Sequence, residues 1–458
     1  MHADETLAHI YAEAVRGAPA DELVRAVLLC HLAEPSTPAT RLAEDLGVSL
    51  DTVRAGYRAC QGSAAVARLV NSLYYPHRMR WSFATATVQE WQRVPERPER
   101  IRAHEPVLSE TVEIHPTRGT CNYRCAMCLW SDQDQLTYAT KQLDTSGLMT
   151  GDEWVRVLSE LRANGVCRLA VSGGGEALIN PDLPAILTSA ADLGFEIHVY
   201  TTGFSIRPGG PLFDALLRCH RIRFSIHSPE PANYDRIAGT QPRQHALDRV
   251  VRNLGALLAD RNVFPNVGIG FVIQPFNHSQ IEAMVDFAAD TGADWLDLRK
   301  DEVDVTAGLT ADQLELVRSQ LRAVRRRPRG IRIDLGDELV AIANGQIPDR
   351  SRTSECLGRY FRPTIGAYGH LTPCDLKAEP RFARTGHDLG SVKHSRILDV
   401  VAVSSVRRIP DDCAQCMPSS RTGNLIVHKL LDDLAAGIGL DDQPFLASQA
   451  LCDRGSQD

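Results

Sequence analysis

The chain has 458 residues, a formal net charge of −7 and a hydrophobic fraction of 43%. This length suggests two or three domains, and the mildly acidic balance argues against non-specific nucleic-acid binding, which needs a basic surface. No run of about 18 apolar residues occurs, and the acidic, amphipathic first residues lack the pattern of a signal peptide. We therefore expect no membrane span and a cytoplasmic location.

Residues 1–103 have the pattern of a helical N-terminal domain. The segment ATRLAEDLGVSLDTVRAGYRA contains two helical stretches with a turn at Gly47 and a helix N-cap at Ser49, which is typical of a helix-turn-helix. It carries only three basic residues, fewer than a DNA-recognition element usually has. We interpret it as a helical cover or dimer element, with a DNA-binding regulator as the alternative.

Residues 104–350 alternate between strand and helix patterns, with amphipathic helices such as Gly151–Asn164 and Pro181–Leu193. This alternation predicts an α/β fold, a partial (β/α)6 TIM-like barrel whose functional groups lie at the carboxyl ends of its parallel strands. The predicted strands are Thr111–Pro116, Arg168–Ser172, Glu196–Thr201, Arg221–Ile226, Val267–Ile273, Trp295–Arg299 and, as a possible seventh, Ile331–Leu335.

Three cysteines follow the first predicted strand in the stretch HPTRGTCNYRCAMCLW. Cys121, Cys125 and Cys128 have the spacing C-x3-C-x2-C. Three thiolates on one loop can ligate three irons of a four-iron cluster and leave the fourth iron open to another ligand, whereas a zinc site would need a fourth protein ligand nearby. The spacing resembles the signature of the radical S-adenosylmethionine superfamily. The resemblance implies a [4Fe–4S] cluster and bound S-adenosylmethionine, which is cleaved to a 5′-deoxyadenosyl radical.

The resemblance extends from about residue 110 to residue 335 and implies further cofactor contacts. Met127 takes the place of a usually aromatic residue near the adenine. The family's GGE motif, which holds the methionine group, is matched after the second strand, and polar residues follow the later strands. The implied cofactor-binding residues are Met127, Gly173, Gly174, Gly175, Glu176, Thr201, Thr202, Ser225 and Arg236.

Residues 351–458 form a cysteine-rich tail. Cys356, Cys374, Cys413 and Cys416 are four thiols, and a β-hairpin is predicted around RPTIGAYGHLTP, between the first two. Four thiolates fit one fully ligated auxiliary [4Fe–4S] cluster, and structural zinc fits the count equally well. The tail resembles the twitch-type half of the SPASM domain, which implies one auxiliary cluster.

Charged residues crowd the end of the sixth predicted strand. Asp297, Arg299 and Lys300 are candidates for substrate binding, with a salt-bridge network that closes the barrel as the alternative. The candidates for a catalytic base are Asp301, Glu302 and His227.

The motifs SGG-x-E-x-L-x-NP, VYT and L-x-x-R-x-D, with the helical N-terminal domain, resemble radical aminosugar dehydratases and deaminases of antibiotic biosynthesis, such as the paromamine dehydratase of apramycin biosynthesis. This resemblance implies hydrogen abstraction from an aminosugar or aminoglycoside and 1,2-elimination to a deoxy-keto sugar. It also implies an electron donor such as flavodoxin or ferredoxin, and it allows for an NADPH reductase acting on the product. The alternatives are a radical dehydrogenase, which oxidises a sugar or aminocyclitol hydroxyl to a ketone, and a peptide-modifying maturase.

Overall fold

The computed structural model describes residues 48–49, 83–128, 137–138, 147–262, 264–301, 308–326, 331–343, 345, 353–378, 387–405, 409 and 416–440. The helix-turn-helix-like segment lies outside these residues apart from positions 48 and 49. That segment and the expected boundaries of the three domains therefore remain predictions. Apart from residues 260–265, the described residues from Phe83 onward belong to one compact unit.

The helices and strands are numbered here from the first described residue. The helices are α1 Phe83–Arg93, α2 Arg97–Arg102, α3 Gly151–Ala163, α4 Leu183–Asp192, α5 Pro211–Leu216, α6 Pro231–Ala238, α7 Ala246–Asp260, α8 Ile281–Asp290, α9 Ala311–Arg326, α10 Asp337–Ala343, α11 Ile397–Ser405 and α12 Pro418–Ala435. The strands are β1 Thr111–Ile114, β2 Thr120–Cys121, β3 Thr137–Tyr138, β4 Arg168–Val171, β5 Glu196–Thr201, β6 Arg221–Ser225, β7 Asn266–Ile273, β8 Trp295–Lys300, β9 Arg332–Leu335, β10 Thr364–Ile365, β11 His370–Thr372 and β12 Gly390–Ser391.

One sheet organises the described residues, in the order β12-β11-β10-β1-β4-β5-β6-β7-β8-β9. Strands β1 and β4 to β9 pair in parallel, which confirms the predicted α/β fold. Strand β9, the possible seventh of the sequence analysis, extends the expected six strands to seven in the described part of the chain. The carboxyl ends of all these strands meet at one edge, where ligand sites form in such sheets.

The tail adds a hairpin to this sheet. Strand β10 pairs in parallel with β1 through Glu113 opposite Thr364 and Ile114 opposite Ile365. It also pairs antiparallel with β11, which confirms the hairpin predicted around residues 362–373. The tail therefore reaches the edge strand of the barrel, directly beside the loop that carries the cysteine triplet.

Helix α3 illustrates how the local sequence specifies these elements. Its N-cap residue, Thr150, accepts a hydrogen bond from the Glu153 amide, and the Glu153 carboxylate accepts one from the Thr150 amide at 2.7 Å. This reciprocal capping box satisfies two amides that a helix start otherwise leaves unpaired. At helical spacing, Trp154, Val157, Leu158 and Leu161 are fully buried against the sheet.

The first two helices and the last pack together. Val88 and Trp91 of α1 and Ile101 of α2 form a buried apolar cluster with Val427 and Leu430 of α12. This cluster is separate from the main core under the sheet. No helix in the described ranges is both long enough and apolar enough to cross a lipid bilayer.

Candidate active site at the carboxyl ends of the strands

The cysteine triplet lies on a loop that follows β1. The amides of Arg124 and Ala126 donate hydrogen bonds of 2.7 and 2.9 Å to carbonyl oxygens at the end of helix α6. The Tyr234 hydroxyl of α6 donates to the Tyr123 hydroxyl at 2.9 Å. Gly239, which ends α6 at φ +65°, has no room for a Cβ atom, because that atom would lie 2.6 Å from the Arg124 side chain. Helix α6 therefore fixes the cysteine loop.

The three cysteines of this loop are half-buried and lie close together. The Tyr123 amide donates to Cys121 Sγ at 3.3 Å, and the Cys128 amide donates to the Cys125 carbonyl at 3.0 Å. Burial raises the pKa of the Cys121 thiol, and the nearby Glu176, Cys125 and Cys128 raise it further. Closely spaced thiols whose ionisation is mutually unfavourable fit a cationic metal centre, because coordination stabilises thiolates.

Among the described residues, no three His, Cys, Asp or Glu side chains converge on a point where one metal ion would bind. A cubane cluster is held differently, because each thiolate binds its own iron. Cys121, Cys125 and Cys128 are thus the donors available to such a cluster.

The GGE motif pairs with the cysteine loop. The Gly119 amide donates to the Gly174 carbonyl at 2.5 Å, and the Glu176 amide donates to the Thr120 carbonyl at 2.9 Å. A Cβ atom at Gly175 would lie 2.3 Å from that same Thr120 carbonyl oxygen. The close packing of the backbone against the loop thus explains why residue 175 is a glycine. This packing could not be predicted from the sequence pattern.

The carboxylate of Glu176 joins the ends of β4 and β5. It accepts hydrogen bonds from the Thr201 hydroxyl at 2.6 Å, the Thr202 amide at 2.7 Å and the Leu178 amide at 3.1 Å. Burial raises its pKa, although these donors oppose the shift. Thr202 in turn donates to Asn122 of the cysteine loop at 3.3 Å. Glu176 therefore positions two predicted cofactor residues beside the loop.

Met127 contacts a residue that the sequence analysis missed. Gln274 follows β7 directly, is fully buried, and its Nε2 donates to Met127 Sδ at 3.4 Å. Its Oε1 is buried without a hydrogen-bond partner among the described residues. A buried acceptor without a donor is costly, so this atom fits a ligand that brings a donor, as the amino group of adenine would. The polar residues that follow β7 were the sequence signal from which Gln274 could have been predicted.

Two further implied cofactor residues lie on β6 and α6. Ser225 is half-buried at the end of β6. Arg236 is exposed on α6, and its guanidinium lies 4.3 Å from the centre of the Phe276 ring. Their cofactor contacts remain predictions.

The candidate bases have different surroundings. His227 is buried, and its Nδ1 accepts a hydrogen bond from the Val272 amide at 3.2 Å. Burial, with the nearby Arg223 charge, lowers the pKa of His227 to about 3. Asp301 is buried at the end of β8, and Glu302 lies outside the described residues. The catalytic roles of all three remain predictions.

Asp297 is enclosed by two arginines. Its carboxylate accepts from Arg223 at 2.8 Å and from Arg299 at 2.9 Å. Burial opposes its ionisation, but the two guanidiniums outweigh burial and lower the pKa of Asp297. Lys300 Nζ donates to the Asp301 carbonyl at 3.1 Å. These contacts match the salt-bridge alternative, and substrate binding by Asp297, Arg299 and Lys300 remains a prediction.

Three tail cysteines face one small cavity. Cys356, Cys374 and Cys416 line it together with His387 and Lys377, and Cys413 lies outside the described residues. Burial raises the pKa of Cys374, with Asp375, Cys356 and Cys416 adding to the shift. The tail thus brings together cysteines that are up to 60 residues apart in sequence.

A second cavity, of about 200 Å³, opens between the start of the cysteine loop and the tail hairpin. Its walls include His115, Thr117 and Arg118 on the barrel side and Tyr368 and Lys377 on the tail side. Lys377 lines both cavities. Lys377 therefore connects the cavity of the tail cysteines with the cavity beside the start of the cysteine loop.

A buried ionic network lies behind this cavity and was missed by sequence reasoning. Glu113 of β1 accepts from Arg362 Nε at 2.8 Å, from Ser172 at 2.5 Å and bonds His115 Nε2 at 3.1 Å. Burial opposes ionisation of Glu113, but Arg362 and His115 outweigh it and lower its pKa. The network ties β1 and β4 to the tail.

Comparison with known proteins identifies the central domain. Residues 116–288 match the sequence profile of the Radical SAM superfamily. The dTDP-4-amino-4,6-dideoxy-D-glucose ammonia-lyase of Streptomyces venezuelae is 28% identical over 263 residues, which is 53% of this chain and 51% of that protein. A PqqA peptide cyclase of Streptomyces rochei is 28% identical over 237 residues, 49% of this chain and 60% of the relative. The chain thus spans between half and two thirds of the length of these relatives.

The fold also has a counterpart among solved structures. Streptococcus suis SuiB bound to the precursor peptide SuiA aligns with a TM-score of 0.52 at 16% identity, over 72% of this chain and 74% of that chain. At this identity the likeness concerns the fold alone. With the cysteine triplet and the GGE motif in place at the strand ends, residues 116–288 are a domain of the radical SAM superfamily.

Proposed function

We propose that this protein is a radical S-adenosylmethionine enzyme with Cys121, Cys125 and Cys128 as the cluster ligands. The observation that carries the proposal is the half-buried cysteine triplet on a loop fixed by α6 and the GGE motif, within residues that match the Radical SAM superfamily profile. When bound, the cluster supplies the electron that cleaves S-adenosylmethionine to the 5′-deoxyadenosyl radical.

The chain's own residues would hold S-adenosylmethionine on both sides of the cluster loop. Gln274 Oε1 would accept from the adenine amino group beside the Met127 thioether. Glu176 would hold Thr201 and Thr202 in place toward the methionine group. Ser225 and Arg236 are retained as further contacts of the cofactor.

For the substrate, we favour an aminosugar that undergoes dehydration or deamination to a deoxy-keto sugar. The support is the similarity to a sugar ammonia-lyase over half of each chain. A radical dehydrogenase that oxidises a sugar hydroxyl remains the alternative, since it needs the same radical. The two reactions differ in the next electron transfer: elimination ends with a radical that accepts an electron, whereas dehydrogenation ends with a radical that gives one up. A flavodoxin or ferredoxin would supply the starting electron, and an NADPH reductase would act on the product. The cytoplasmic location remains a prediction.

Peptide modification is the second candidate. Its support is the similarity to a PqqA peptide cyclase, which is 28% identical over a comparable length. The two candidates differ in the product that accompanies 5′-deoxyadenosine. Elimination changes a sugar by the mass of water or ammonia, whereas cyclisation of a peptide removes two hydrogens.

We further propose that the tail cysteines, Cys356, Cys374, Cys413 and Cys416, hold an auxiliary [4Fe–4S] cluster, with zinc as the rival. The support is the cavity that the three described members share. Iron and zinc content of the anaerobically reconstituted protein distinguishes these occupants. About eight irons in the wild type, and about four in a Cys121→Ala/Cys125→Ala/Cys128→Ala variant, are expected for two clusters. About four irons falling to none, with one zinc retained, would assign zinc to the tail.

The activity is tested by measuring 5′-deoxyadenosine from S-adenosylmethionine with dithionite as the reductant. The assay uses dTDP-aminosugars, paromamine and a synthetic peptide in separate arms, with the triple-cysteine variant as the control. We expect 5′-deoxyadenosine from the wild type only, and a sugar product lighter by ammonia or water. The same yield from the variant would reject the proposed function.

A further inference from the structure

The cavity of about 200 Å³ between the cysteine loop and the tail hairpin has walls suited to an anion. We propose that it binds a phosphate group of the substrate, so that the substrate is a nucleotide-linked sugar and not a free aminoglycoside. This inference rests on the proposed function and narrows its substrate class.

The charges on the cavity wall carry the first step. Arg118 and Lys377 contribute a guanidinium and an ammonium. The wall also contains Asp388, whose carboxylate bonds the His370 ring at 2.9 Å. Basic groups therefore outnumber carboxylates on the wall, and arginine and lysine are the residues that usually bind phosphate. A polycationic aminoglycoside would be repelled by the same groups.

The second step is a hydroxyl that the described residues leave without a partner. Thr117 is fully buried and lines the cavity, and its Oγ1 has no hydrogen-bond partner among them. A buried hydroxyl without a partner is costly. A phosphate oxygen in the cavity would accept a hydrogen bond from this hydroxyl. Thr117 lies four residues before Cys121, at the start of the cysteine loop.

The third step is the arrangement around these donors. The Arg118 guanidinium lies 5.4 Å from the centre of the Tyr368 ring, so the tail hairpin helps to position it. The buried carboxylate of Glu113, behind His115, is paired with Arg362. This pairing limits the negative potential that the carboxylate would otherwise impose on the cavity.

The size of the cavity indicates one group of a larger substrate. Whole small-molecule ligands usually occupy roughly 300–1,000 Å³, and this cavity has about 200 Å³. Its position beside Gly174 of the GGE motif would leave the rest of the substrate near the cofactor. A phosphate bound here would thus anchor the sugar by its unreactive end.

The test is equilibrium binding to the reconstituted protein without reductant, by calorimetry, with dTDP and thymidine as the probes. We expect dTDP to bind at least about tenfold more tightly than thymidine, and its affinity to fall as salt rises. Lys377→Met should weaken dTDP about tenfold or more, and Thr117→Val about three- to tenfold, because each loses a charge-assisted hydrogen bond. Neither change should affect thymidine to this extent.

Matched variants separate binding from folding. Lys429→Met removes an exposed lysine of α12 that pairs with Asp433, and Thr291→Val removes a hydroxyl after α8 that bonds Ala288. Both should bind dTDP as the wild type does. Thr117→Ser keeps the hydroxyl and should restore binding. All variants are compared at equal iron content and equal melting temperature.

Two results would overturn the inference. One is equal affinity for dTDP and thymidine. The other is a Lys377→Met variant that binds dTDP with the same affinity as the Lys429→Met control. The binding measurement uses no reductant, so it tests the phosphate site independently of the radical reaction. If dTDP binds but the activity assay yields no 5′-deoxyadenosine, the proposed function is rejected and the phosphate site stands. Tighter binding of a carboxylate peptide than of dTDP would reject the site as a phosphate site.

Discussion

The backbone of Gly175 lies against the carbonyl of Thr120, so that a Cβ atom at Gly175 would come within 2.3 Å of that oxygen. Thr120 directly precedes the first cysteine of the triplet. The GGE motif and the cysteine loop are thus one packed unit, and a change in the motif should be felt as a change in cluster binding.

Gly175→Ala should lower both stability and iron content. The added methyl group clashes with backbone, which cannot move without displacing the loop, and the φ of +155° is unfavourable for alanine. We expect a loss of about 1–3 kcal/mol in unfolding free energy and a clear loss of iron after reconstitution. Thermal melts and iron analysis measure the two effects.

Gly194→Ala is the matched control. Gly194 also has a positive φ, +78°, but a Cβ atom there would meet nothing within 4 Å. This variant should lose only the stability that corresponds to the backbone strain, and it should keep its full iron content. Full iron in Gly175→Ala would show that the close packing of the motif is not needed for the cluster loop.

The Glu176 carboxylate should contribute to stability through its three donors. Glu176→Gln keeps one acceptor oxygen but replaces the other with an amide NH2 group. At least one of the three donors then faces this NH2 group and loses its acceptor. We expect a loss of about 1.5–3 kcal/mol in unfolding free energy, measured by urea denaturation. Thr201→Val, which removes one of the donors, should cost about 1 kcal/mol.

The double variant Glu176→Gln/Thr201→Val decides whether the two side chains act together. Because they share a hydrogen bond of 2.6 Å, the combined loss should be smaller than the sum of the single losses. Strictly additive losses would mean that the bond contributes nothing to stability in solution.

The strands were predictable because their burial follows the sequence pattern. Strand β5, for example, was predicted at its observed bounds, and its burial alternates residue by residue. Strand β1 was predicted two residues too long, to Pro116, although the observed strand ends at Ile114. The chain there turns into the cysteine loop, and proline lacks the amide that would extend the ladder.

The walls of the site were less predictable because they form from distant segments. Glu113 and Arg362 are 249 residues apart, and neither belongs to a motif. Thr117 and Gln274 stand out only through their buried polar atoms, which have no hydrogen-bond partner in the part of the chain that the structure describes. The cysteine triplet needed no such information, since its three ligands lie within eight residues.

The Glu113–Arg362 pair should be costly to break on one side. Arg362→Met leaves a buried carboxylate without its main partner, and we expect a loss of about 3–5 kcal/mol in unfolding free energy. Glu113→Gln/Arg362→Met removes both charges and should recover a large part of that loss. Urea denaturation at neutral pH measures both.

Arg218→Met provides the comparison at the surface. Arg218 pairs with Asp192, whose side chain is 64% exposed, and such pairs contribute about 0–1 kcal/mol. If Arg362→Met costs no more than Arg218→Met, the buried network does not hold the tail to the barrel.

His227 should make stability depend on pH below neutrality. Its pKa is lowered to about 3 in the folded protein, mainly by burial, whereas an unfolded histidine titrates near pH 6.5. Between pH 6.5 and pH 3, His227 therefore binds a proton in the unfolded chain but stays neutral in the folded chain. Stability that is present above pH 6.5 is lost as the pH falls toward 3, by about 2 kcal/mol at pH 5.

His227→Gln should remove this part of the pH dependence, which urea denaturation at pH 7.5 and pH 5 measures directly. His245→Gln, at a side chain that is 73% exposed, should leave the difference between the two pH values unchanged. Because His227 stays neutral over this range, His227→Gln should also leave the acid limb of the pH–rate profile in place. An acid limb that disappears in His227→Gln alone would instead identify His227 as the titrating catalytic base, and the low folded pKa would be wrong.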